Sequence, residues 1–166
     1  MPAHPNLDDL VRKIRSAFAA GPPNGTLEGW PRDRLFNELS ALVAPARARN
    51  VTMFDYAFCN RHEATFSPND DGSYAVLSLQ LSFITDVYSI HWTLYDRGGR
   101  SGRVVELAPS EEAERIATNV RSALALHGFA PIPLAWSSVP VGGIELELSG
   151  RVNVTVGKCL FQDHEG

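Results

Sequence analysis

Two residues have the types to do chemistry together, His91 and Asp55: a carboxylate that holds an imidazole makes a general base. His91 falls in the alternating stretch Val87 to Tyr95. Asp55 shares its side if Phe54, Tyr56 and Phe58 of the stretch Val51 to Cys59 face the core. No Ser, Cys or Thr is set beside them by a nucleophile motif, so His91 reads first as a hydrogen-bonded histidine and no catalytic residue is assigned. His62-Glu63 with Asp70-Asp71 is the concentration of His and carboxylate that most resembles a metal site. Adjacent residues point apart, and no second His follows at i+4 on a helix, so these residues read as a solvated loop and neither metal nor cofactor is expected. Cys59 and Cys159 lack the short spacings of a zinc site and are too few for a disulfide framework, which leaves reduced core thiols. Gly98-Gly99 and Gly142-Gly143 have no strand and helix around them as a phosphate loop would, and read as turns.

Binding chemistry is better represented. The stretches Tyr74 to Ile84 and Val87 to Tyr95 alternate so that Ala75, Leu77, Leu79, Leu81 and Phe83 share a side with Tyr88, Ile90, Trp92 and Leu94. Their other side displays Ser78, Gln80 and Ser82 beside Ser89, His91, Thr93 and Tyr95, with no Lys, Glu or Arg. Hydroxyls, amides, Tyr and His offer hydrogen bonds and contact area without desolvating full charges, which suits a recognition surface. A second surface is expected on the closing hairpin, where Glu145 and Glu147 share an outer face with Asn153 and Thr155, and Asp163 and Glu165 follow. Such acids would dock a basic partner. Arg97, Arg100 and Arg103 in a glycine turn are a weaker signal for an anionic one.

The elements that must position these residues follow from caps and periodicity. Leu7, Leu10, Val11, Ile14 and Phe18 predict a first helix, with Asn6 as N-cap and Gly21-Pro22-Pro23 as its stop. Pro31 opens a second, with Leu35, Phe36, Leu39, Leu42 and Val43 inward, which Pro45 bends or ends. Four strands are predicted next: Val51 to Cys59, Tyr74 to Ile84, Val87 to Tyr95 and Val104 to Leu107. A two-residue turn at Thr85-Asp86 would set Leu81 opposite Ile90, Leu79 opposite Trp92 and Leu77 opposite Leu94. Ser110 caps a third helix with Ala113, Ile116, Ala117, Val120 and Leu124 buried, closed by His127 and Gly128. Pro131, Pro133 and Pro140 mark an extended, edge-like crossing. The last hairpin, Ile144 to Phe161, is expected to turn through Ser149-Gly150-Arg151, with a bulge past Gly157. The order ααββββαβββ predicts an α+β fold, a mostly antiparallel sheet with the helices on one face.

The chain has 166 residues, 44% hydrophobic, with 15 basic and 19 acidic side chains. A chain this long holds a core unaided and is expected to be one domain over residues 1–166. The formal charge of −4 lacks the basic stripe of a general nucleic-acid binder. No apolar run approaches the ~18 residues of a membrane span, and MPAHPNLDDL has neither a basic nor an apolar leader region, so a soluble, cytoplasmic protein is expected. Residues 1–50 carry net +2 and each of the following thirds −3, and among the basic residues only Lys13 and Lys158 are lysines. That bias, with 11 prolines, suits a GC-rich bacterial genome.

The C-terminal GIELELSGRVNVTVGKCLFQD resembles the ends of immunity proteins that protect bacteria from polymorphic toxins, and size, acidity and element order resemble them too. The resemblance covers about the last quarter of the chain and carries over no functional residue. It implies a cognate toxin or effector neutralised by occlusion, with no catalysis and no cofactor. The partner-binding residues expected are Ser78, Gln80, Ser82, Ser89, His91, Thr93, Tyr95, Glu145 and Glu147. Small acidic α+β proteins of this order also resemble secretion-type chaperones, which hold an extended client along strand edges. A small enzyme using Asp55 and His91 is the third reading.

Overall fold

The computed structural model describes residues 5–164. The described residues form α1 (Leu7–Ala17), α2 (Gly25–Glu28), α3 (Phe36–Val43), β1 (Arg47–Asn50), β2 (Cys59–Thr65), β3 (Tyr74–Ser82), β4 (Val87–Tyr95), β5 (Gly102–Val105), α4 (Glu111–Leu126), β6 (Ala130–Pro131), a 3₁₀ turn (Leu134–Ser138) and α5 (Val156–Leu160). The fold is α+β. Its sheet runs β1-β2-β3-β4-β5 with every pair antiparallel, and β6 pairs parallel with the start of β4, where β5 does not reach. No helix among the described residues is long and apolar enough to cross a membrane.

The helix ends follow local chemistry. The Asn6 side chain accepts from the N–H groups of Asp8 and Asp9, which otherwise lack intrahelical partners. Ser110 Oγ accepts from Ala113 N at 3.1 Å. At the other end of α4, Gly128 adopts φ 85°, Phe129 N–H bonds Leu124 O and Gly128 N–H bonds Ala125 O, which satisfies the last carbonyls of the helix.

The β3–β4 faces are as alternation predicts, but the pairing is shifted by two residues. Leu81 stands opposite Tyr88, Leu79 opposite Ile90 and Leu77 opposite Trp92. The connection is Phe83 to Asp86 rather than Thr85-Asp86 alone, because Phe83 leaves the ladder: its N–H bonds Phe58 O and its ring stacks on Trp30 at 4.5 Å. An even shift preserves which side each residue faces.

Two core clusters lie on opposite sides of the sheet. Leu39 and Val43 of α3 and Ile116, Ala117, Val120 and Leu124 of α4 pack on the apolar face of β3 and β4. The expectation that the helices share this face holds for α3 and α4. Helix α1 instead packs Leu10, Ile14 and Phe18 with Phe58, Cys59, Val87 and the C-terminal segment, in the second cluster. Its apolar stripe meets Phe58 edge to ring at 5.1 Å.

Three strand assignments are corrected. Residues 51–58 form no strand, since Tyr56 sits at φ 57°, a left-handed position that breaks the alternation. The paired segments on either side, β1 and β2, have polar sequences, so His62-Glu63 lies in a strand and not in a loop. The final hairpin is absent as well. Leu146 and Gly150 exchange hydrogen bonds across a tight turn, Val154 O accepts from Val141 N, and Val156 N donates to Val139 O. The partner of the Val154 region is thus residues 139–141. Thr155 caps α5, where a bulge was expected.

Candidate functional site

The polar face of the sheet is built by cross-strand rows. Arg49, Glu63, Ser78 and His91 form one, Arg61, Gln80 and Ser89 another, Arg47, Thr65, Val76, Thr93 and Val104 a third, Tyr74, Tyr95 and Gly102 a fourth, and Cys59 and Ser82 a fifth. All seven predicted face residues do share this side. They are not equally reachable. Ser82, 1% exposed, donates to Leu160 O at 2.9 Å, so the C-terminal segment covers that end. Ser78 and Ser89 are also buried, whereas Gln80, His91, Thr93 and Tyr95 are partly exposed. Val104, on the far strand, is 56% exposed.

The face is not free of charge, as β3 and β4 alone suggest. β1 and β2 bring Arg47, Arg49, Arg61 and Glu63 onto it, and an Arg61 Nη lies 3.3 Å from Glu63 Oε1. Burial holds the His91 pKa below its ordinary value; Arg61 lowers it further and Glu63 opposes both. His91 is therefore neutral near pH 7 and able to donate and accept at once. Tyr74 and Tyr95 stack at 5.1 Å. The Tyr95 ring lies over Gly102, where a Cβ would stand 2.9 Å from it, so a glycine makes room for the stack.

No protein-family model, curated protein or solved structure matches the chain. The face is read from its own chemistry. Beside Gln80 it opens into a cleft of about 650 Å³ lined also by Ser137, Asn153, Lys158, Gln162 and His164. Lys158 is 4% exposed, and its Nζ donates to Ser149 Oγ at 3.0 Å.

The other predicted residues are not assembled into a site. Asp55 occupies an exposed turn before β2 and lines a separate cleft with Pro22, Phe54, Glu147 and Asp163, while His91 sits mid-strand beside Ser78. The pair is not formed. His62 points to the helix side, 5% exposed, its Nε2 3.0 Å from Arg34 O, and burial lowers its pKa. Asp71 is engaged by Ser73 N–H and Oγ in its own turn. Among the described residues no group of three His, Cys, Asp or Glu could hold a metal ion.

The hairpin expected to carry the acidic surface is absent, while Glu145 and Glu147 are both exposed. Glu145 meets Arg151 at 3.2 Å, and Asp163 is 2% exposed, accepting from Leu148 N, Ser149 N and Ser149 Oγ. Glu147 stays exposed, and Glu165 lies outside the described residues. Both cysteines are buried and free, and burial pushes each thiol up to about 12, which removes nucleophilic character at neutral pH.

The surface residues missed in the sequence are Arg47, Arg49, Arg61 and Glu63. Their signal was alternation of a different kind, large polar groups interleaved with Ala48, His62 and Ala64.

Proposed function

We propose that the protein is a bacterial, cytoplasmic immunity protein that binds a cognate toxin domain on its polar sheet face and neutralises it by occlusion. The observation that carries this reading is the make-up of the face from Gln80 to Val104: Arg, Tyr, His, Thr and Gln, with Glu63 as its single carboxylate. Interface cores favour Tyr and Arg and are depleted in Lys, Asp and Glu. The polar cleft beside Gln80 continues the surface and gives a protruding partner loop a seat. Cells expressing the toxin encoded beside this gene are expected to survive when the protein is co-expressed, and to die when Gln80→Glu and Thr93→Glu are introduced together. Survival with both substitutions overturns the reading.

A secretion-type chaperone is the second reading, favoured by β5 as an outer strand of the sheet, with Val104 on it and Leu107 just past it 56% and 83% exposed. A client strand added there would protect β5 amides from hydrogen exchange. Binding that leaves those amides unprotected and shifts the sheet face excludes it.

A further inference from the structure

We propose that the partner meets this face with an acidic protein surface, gripped by Arg47, Arg49 and Arg61; this rests on the reading of the face as the docking surface. Arg47 stands opposite Thr65 and Arg49 opposite Glu63, both on the edge strand β1. Both arginines are exposed, and neither side chain makes a hydrogen bond or ion pair among the described residues. Glu63, the one carboxylate on the face, pairs with Arg61, so Arg49, opposite it in register, and Arg47 are left without one.

This basic corner belongs to a chain of formal charge −4. The acids lie elsewhere, with Asp8 and Asp9 in the first turn of α1 and Glu111, Glu112 and Glu114 in that of α4. A guanidinium offers a planar fork that carboxylates match with two hydrogen bonds, and unpaired forks on an otherwise neutral face select an acidic counterpart. Arginines on an edge strand also deter strand addition, so the contact runs through side chains and not through the β1 backbone. A nucleic acid is a poorer fit. It needs a continuous basic stripe and open aromatic faces, whereas here one arginine is already paired and the Tyr74 and Tyr95 rings are stacked on each other.

The test titrates the ¹⁵N-labelled protein with a glutamate-rich peptide, a lysine-rich peptide and a single-stranded DNA oligonucleotide at low and physiological salt. The glutamate-rich peptide is expected to shift the amides of Arg47, Arg49, Arg61 and His91, to weaken with salt, and to lose at least about tenfold in affinity in the R47E/R49E variant. Both sites are exposed, and an unchanged melting temperature confirms that the variant folds. No shift at these amides, a stronger response there to the lysine-rich peptide, or tighter binding of the oligonucleotide there overturns the inference. Neutralisation of the neighbouring toxin separates the two readings. Loss with Gln80→Glu and Thr93→Glu but not with R47E/R49E overturns the acidic partner and leaves the docking face standing. Loss with neither overturns both, and loss with both supports both.

Discussion

Replacing Arg34 with Met should cost about 3 kcal/mol of folding stability, and the structure shows why the net is of that size. Arg34 precedes α3 and reaches into the sheet. Its Nε donates to Asn60 Oδ1 at 2.7 Å, and one Nη donates to Leu81 O at 2.8 Å and Ser82 O at 3.0 Å. The guanidinium also lies 3.8 Å from the centre of the Phe83 ring. Hydrogen bonds to a charged group contribute about 1.5–3 kcal/mol each, so three set the gross loss at roughly 5–9 kcal/mol. Against this, methionine no longer has to desolvate a charge, whose burial costs several kcal/mol and already lowers the Arg34 pKa to about 10. The balance stays destabilising because Asn60, 0% exposed, keeps its two donated bonds to Pro31 O and Arg32 O but loses the donor to Oδ1. For a chain of this size that is a fall in melting temperature of about 6–12 °C, read by circular dichroism. Arg34→Lys should fall in between, since one ammonium cannot serve all three acceptors and stack on Phe83. A methionine variant that melts within about 1 °C of the parent would refute this reasoning, because the three bonds would then do no more than offset the buried charge.

Acid should destabilise the fold earlier than carboxylate protonation alone predicts. His62 and His91 both have folded pKa values below the ordinary 6.5, so their contribution is complete above pH 6.5 and drains away as pH falls through the lowered values. A His62→Gln/His91→Gln variant should flatten the melting-temperature curve just below pH 6.5, and an unchanged slope would count against it. Gly157→Ala should cost about 2 kcal/mol in urea unfolding, because the new Cβ would lie 3.0 Å from Ser137 O, a backbone atom that cannot rotate away. A variant as stable as the parent would mean that α5 and the 3₁₀ turn can separate freely. Asp163→Ala should cost about 3 kcal/mol by stranding the N–H groups of Leu148 and Ser149, and hydrogen exchange at those two amides should accelerate; unchanged exchange rates there would dismiss the carboxylate as the clamp of the turn.

What the sequence determined by itself is whatever neighbours in the chain can satisfy. The Asn6 and Ser110 caps and the Gly128 stop were legible because each closes within one turn of backbone. The sides of β3 and β4 were legible because side-chain direction has period two, and even a two-residue error in their register left Gln80, His91, Thr93 and Tyr95 on one face. β1 and β2 were not legible. Their residues are inward only because distant segments meet them, as when Asn60 is buried against the backbone of Pro31 and Arg32. The valine-rich run 152–156 likewise reads as a strand, yet Val152 is 70% exposed and Thr155 caps a helix, since the run bonds to residues 139–141 and not to 144–148. The tertiary structure alone decided the charge of the candidate face. Strand pairing joins segments across the irregular connections 51–58 and 66–73, which no local period encodes, and it is the order β1-β2-β3-β4 that places three arginines and one glutamate beside a pair of strands that carry no charge on that side.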